Sequence, residues 1–167
     1  MIKVFMANRP PLKEYEQQSV FSTMAMGEIN KIATEAGNHW RKIFNVYAKF
    51  IYSLAMDEND ANILKYKTWQ QYRDGRLLQS ASKTELHCGN PALERSFFIE
   101  EPTTVRIVMG KAYAESLLDG VELNWVDKDF AINKERAIIV CPYFDYRQLS
   151  NIKIEVLIKL LVLLRES

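Results

Sequence analysis

The chain's densest chemistry lies in Cys141-Pro142-Tyr143-Phe144-Asp145-Tyr146-Arg147-Gln148, where three aromatic rings, a carboxylate and a guanidinium follow an apolar run. Aromatic faces with Arg and Asp can sandwich a planar ligand and read its polar edge, as nucleobase sites do. The same residues can equally lock a loop, Arg147 pairing with Asp145 while the rings pack inward. Gly110-Lys111 follows a second apolar run, Val105 to Met109, and opens a helical stretch. Free N–H groups and a positive helix end favour an anion at such a turn. It is not a phosphate loop, because Ala112 stands where the motif needs a hydroxyl and no glycine precedes at the right distance. Its plainer reading is a tight turn with an exposed lysine. The turn His87-Cys88-Gly89-Asn90-Pro91 adds a titratable ring and the amide of Asn90. Asp127 and Asp129 are too few for a metal site, and no Ser-His-Asp, GxSxG or HExxH spacing occurs. A hydrolase built on Cys141 or His87 is a third reading, and for a cysteine nucleophile it requires a thiolate pKa below about 7.5.

These positions need elements to hold them. Ile2 to Met6 reads as a short strand that Pro10-Pro11 bars from continuing as an interior one. From about Tyr15, Val20, Phe21, Met24, Ile29 and Ile32 recur at helical steps up to Gly37. Trp40, Ile43, Phe44, Tyr47, Ile51, Leu54 and Ala55 mark one helix face, with Asn38 as candidate N-cap. A third helix carries Ile63, Leu64, Tyr66, Trp69 and Tyr72 to Gly75. After Gly75 the pattern changes to strand runs joined through helices. Val105 to Met109 and Ala137 to Cys141 are near-continuous apolar runs, Val121 to Trp125 alternates, and Leu77-Leu78 and Glu85 to Cys88 offer further strands. Such a pattern predicts a three-layer α/β fold in one domain over 1–167. A mainly helical part over about 1–75 would pack on a small, mostly parallel sheet over about 76–167.

The last helix runs from Ser150 or Asn151 to about Leu164 and is apolar around most of its circumference. It must be sandwiched inside the fold or buried by a second copy of the chain. Charge excludes less than it might. With 22 Lys and Arg against 21 Asp and Glu, the net +1 provides no global field toward nucleic acid or an anionic membrane, though a local patch remains open. Two cysteines cannot make a disulfide framework, and no spacing suits zinc. The longest aliphatic run, Leu160 to Leu164, is far below the roughly 20 residues of a membrane helix. Met1 to Pro11 lacks the apolar region of a signal peptide. The expectation is a cytoplasmic protein without a cofactor, without a metal and without membrane contact.

The run Ile107-Val108-Met109-Gly110-Lys111-Ala112-Tyr113-Ala114-Glu115-Ser116-Leu117-Leu118 resembles the late strand, glycine and helix of the uracil-DNA glycosylase superfamily. Ile138-Ile139-Val140-Cys141-Pro142 is similar to that superfamily's last strand. There the catalytic loop begins His-Pro-Ser. Pro142 matches the proline, while Cys141 takes the histidine position and Tyr143 the serine position. Gly89-Asn90-Pro91 is the nearest counterpart of the water-activating loop and lacks its carboxylate. The resemblance spans about the last 65 residues and implies the three-layer fold, not the uracil-excising activity.

Two functions follow as expectations. The first is a domain binding a nucleobase, nucleotide or nucleic-acid segment. Gly110 and Lys111 would face phosphate, Tyr143, Tyr146 and Arg147 the base, Asp145 an N–H edge, with Asn90 nearby. The second is a non-enzymatic interaction protein that self-associates through its apolar C-terminal helix.

Overall fold

In the computed structural model, residues 1–89, 101 and 103–167 are described. Seven strands form one mixed sheet: β1 Ile2–Met6, β2 Val20–Phe21, β3 Thr84–Cys88, β4 Val105–Met109, β5 Asn124–Trp125, β6 Ala131–Asn133 and β7 Ile138–Cys141, in the order β2-β3-β1-β4-β7-β6-β5. The central strands β3, β1, β4 and β7 are all parallel, with Ile2 level with both Thr84 and Val105, and Met109 level with Cys141. The outer pairings β2–β3, β6–β7 and β5–β6 are antiparallel. The α/β architecture therefore matches the sequence pattern, with a parallel core and antiparallel margins.

Among the described residues the α-helices are α1 Glu28–Ala36, α2 Asn38–Glu58, α3 Ala61–Leu64, α4 Trp69–Gly75, α5 Lys111–Leu117 and α6 Asn151–Arg165. On one face of the sheet, Val4, Met6, Ile107, Met109, Ile139 and Cys141 pack against α1, α2 and α6. On the other face, Phe5, Val108, Ile138 and Val140 pack against Ala114 and Leu117 of α5. This is why β4 and β7 read as unalternating apolar runs: all their side chains are buried.

Several elements differ from their sequence expectation. The segment from Tyr15 to Gly37 is not one helix. Val20 and Phe21, β-branched and aromatic, pair with His87 and Leu86 of β3, and α1 starts only after Gly27 at φ +84°. Asn38 is the first residue of α2 rather than its cap, which falls to Gly37. The third helix is two, because Asp60 accepts from Asn62 N–H and Thr68 from Gln71 N–H, each capping a new start. Leu77-Leu78 is no strand: Leu78 takes φ +59° and its N–H donates to Thr84 Oγ1 (3.0 Å). β1 stops at Met6, before the prolines, and so stands in the middle of the sheet after all.

The apolar C-terminal helix is largely explained from within. Ile154, Leu157, Ile158, Leu160, Leu161 and Leu164 are buried in the chain's own core. Ile152 (75% exposed) and Leu163 (41%) remain outside.

Candidate functional site

Four parallel strands pointing one way place their carboxyl ends along one edge, the edge where α/β sheets bind ligands. The strand exits there are Ala7-Asn8-Arg9, Gly89, Gly110-Lys111 and Pro142-Tyr143. β1 continues into helices on one face and β4 into α5 on the other, so the switch point falls between β1 and β4. Helix starts gather at the same edge. α2 begins beside Tyr143 and ends where Glu58 meets Arg165 at the far end of α6, so it runs antiparallel to the strands. A 21-residue helix presents the positive end of its dipole there, and no side chain caps it.

Tyr143 is the centrepiece of this edge. Its ring leaves β7 and passes over Gly110, where a Cβ would sit 4.0 Å from Tyr143 Cδ2. It then stacks on His39 of α2 (centroids 5.3 Å, interplanar 20°), and its hydroxyl shares a 3.0 Å hydrogen bond with His39 Nε2. Burial pushes the Tyr143 phenol up to about 12, with Cys88 adding to the shift. The edge of the Tyr143 ring thus borders the space above Gly110. Gly110 itself takes φ +96° and ψ 126°; its N–H donates to Cys141 O and its carbonyl accepts from Ala114 N–H, each at 2.9 Å.

Asp145 uses both oxygens. Oδ1 accepts from Arg147 N–H (2.9 Å), and Oδ2 pairs with Lys42 Nζ (3.3 Å). The Arg147 N–H first and Lys42 next hold its carboxyl below the usual aspartate range. With its carbonyl also accepting from Gln148 and Leu149 N–H, Asp145 shapes the loop instead of offering a free edge. Tyr146 is 51% exposed, with Lys42 Nζ 5.2 Å and the Arg147 guanidinium carbon 5.6 Å from its ring centroid. Lys111 turns away from Gly110 and lies 4.7 Å over the half-exposed Trp125 ring. Asn90 lies outside the described residues.

The structure therefore joins Gly110, Tyr143, Asp145, Tyr146 and Arg147 at one edge and sends the Lys111 ammonium toward β5. Sequence reasoning missed His39 and Lys42, on the first turns of α2, and Arg9 at the β1 exit. Arg9 Nη2 donates to Ser19 Oγ (3.0 Å) and Nε to Gln18 O (3.1 Å). It borders an open depression of about 440 Å³ with Pro10, Pro11, Leu12, Lys13 and Glu16. Only the strand direction, known after folding, could have flagged these residues.

The thiols do not support a nucleophile. Cys88 and Cys141 are buried, and burial pushes Cys88 up to about 12 and Cys141 further still, the reverse of a reactive thiolate. Among the described residues no three metal-ligating side chains cluster, and no helix is long and apolar enough to cross a membrane. One family model matches residues 1–162, whereas no curated protein and no solved structure matches the chain.

Proposed function

The chain belongs to the family that matches it, DUF6942, a family of unknown function, and from that premise we propose that it binds a nucleotide or a nucleic-acid segment at the carboxyl edge of its sheet. The observation that carries this reading is the exposed Tyr146 ring, with Lys42 and Arg147 against it. A half-exposed ring beside two cations suits a planar base joined to a phosphate. Asp145 serves as the positioning residue that fixes Lys42 and the loop. Lys111 and Trp125 form a second cation–aromatic pair at the start of α5. Fold kinship with the uracil-DNA glycosylase superfamily is part of the same reading, supported by Gly110 closing β4 before α5 and Pro142 closing β7. No base excision is proposed, since Cys141 is buried where that chemistry places histidine.

Fluorescence titration with ATP and short single strands at fixed salt tests the proposal. Stacking on one aromatic contributes about 1–3 kcal/mol, so Tyr146→Ala weakens binding by roughly fivefold or more. Arg147→Ala weakens it similarly, while Lys159→Ala on α6 leaves it unchanged. No saturable binding, or full binding by both site variants, overturns the reading.

A second reading rests on the exposed stripe of α6. Ile152, the partly buried Val156 and Leu163 share one side of the helix, interrupted by Lys159. If a second copy covers this stripe, sedimentation shows a dimer at micromolar concentration that Ile152→Lys dissociates. A monomer overturns it.

A further inference from the structure

The second face of a buried parallel sheet is ordinarily apolar, yet here a charged row crosses three central strands. Glu85 on β3 lies level with Lys3 on β1, and Lys3 level with Arg106 on β4. The next row is His87, Phe5 and Val108. His87 is 7% exposed and stacks on Phe5 with centroids 4.6 Å apart and planes at 26°. Its Nε2 lies 2.7 Å from Glu85 Oε2, the same oxygen that Lys3 Nζ approaches at 3.8 Å. Among the described residues its buried Nδ1 has no hydrogen-bond partner. A carboxylate only accepts, so Nε2 carries the proton of the neutral ring and Nδ1 keeps a bare lone pair.

We propose that His87 is a proton-operated latch on β3: a proton taken up at Nδ1 unseats the ring from Phe5 and loosens Cys88 and Gly89 from β1. The proton comes from solvent and forms one N–H bond at the Nδ1 lone pair, leaving an imidazolium. Its charge finds Glu85 on one side, but the new N–H has no acceptor among the described residues. An unsatisfied buried donor is costly, and rotation or opening relieves it. Lys3 opposes the added charge, Glu85 and Glu101 favour it, and Arg106 stands next in the charged row. Burial outweighs the carboxylates, and the ring titrates below the ordinary histidine value of 6.5. The sign follows. The neutral ring's contribution is complete above 6.5 and is lost as pH falls from there through the lower folded value.

What the latch holds is the exit of β3. Gly89 N–H donates to Met6 O and Cys88 N–H to Ser19 O, each at 2.7 Å. Above Gly89 sits Tyr113 of α5, so close that a Cβ there would meet its hydroxyl oxygen. Opening at Gly89 therefore reaches the ligand-binding edge, but the latch stands whether or not the nucleotide reading does, and its test uses no ligand.

Imidazole nitrogen NMR of the full chain over about pH 4.5 to 8 reads the tautomer and midpoint of His87, and amide exchange reads the opening of Gly89. The expected result is an Nε2–H tautomer at neutral pH and a midpoint below 6.5. Corrected for intrinsic exchange, Gly89 protection falls by up to about tenfold per pH unit between 6.5 and that midpoint. His87→Phe keeps a ring on Phe5 and abolishes this pH dependence, whereas Glu85→Gln moves the midpoint lower. A midpoint at or above 6.5, a pH-independent Gly89, or an unchanged loss in His87→Phe overturns the latch. Should His87→Phe fail to fold, the wild-type tautomer, midpoint and Gly89 exchange decide the matter alone.

Discussion

Phe144→Ala lowers stability by about 3–5 kcal/mol, the range for emptying a fully buried aromatic position. Phe144 is completely buried, and its ring meets the buried Tyr47 edge-on at 5.7 Å. Tyr47 in turn donates to Glu85 O at 2.8 Å, so Phe144 anchors the 142–149 loop to α2 and, through it, to β3. Urea unfolding followed by tryptophan fluorescence measures the loss. Because Tyr143, Asp145, Tyr146 and Arg147 hang from this anchor, the nucleotide affinity proposed for this edge is expected to drop with it. A cost below about 1 kcal/mol would mean the loop is held elsewhere.

Gly110→Ala has the second large effect and a different origin. With Tyr143 Cδ2 the nearest atom among the described residues, at 4.0 Å, a methyl group fits the space. The penalty is backbone strain, since φ +96° with ψ 126° is a conformation L residues rarely adopt, and it amounts to about 1–3 kcal/mol. Tyr143→Leu in the same chain therefore gives no rescue, which double-mutant unfolding checks. A rescue would show that crowding, not the dihedral angle, sets the glycine requirement.

The parts of the fold that could be read from residues alone are those whose pattern is set by burial. β7 is apolar throughout and β4 is apolar except for Arg106 because both sheet faces are covered, and α2 shows one face because its other side meets water. β2 and β6 were invisible for the opposite reason. At two and three residues they have no pattern of their own, and only their partners β3 and β7 make them strands. Val20 and Phe21 even mimic helical spacing with Met24. The 141–147 cluster was legible as a concentration of side-chain types, but its partners His39 and Lys42 lie more than a hundred positions upstream. No local pattern carries such a pairing. The Glu85–His87 pair shows an intermediate case, because alternate residues share a face once the segment is known to be a strand.

The place of β1 also bears on how the chain comes into being on the ribosome. β1 is made before either of the strands that flank it, and those begin at Thr84 and Val105. At roughly 5–20 residues per second, β1 waits on the order of 5–20 s with Phe5 and Met6 uncovered. That interval is when a nascent chain of this design is most open to chaperone capture or to pairing with another unfinished copy.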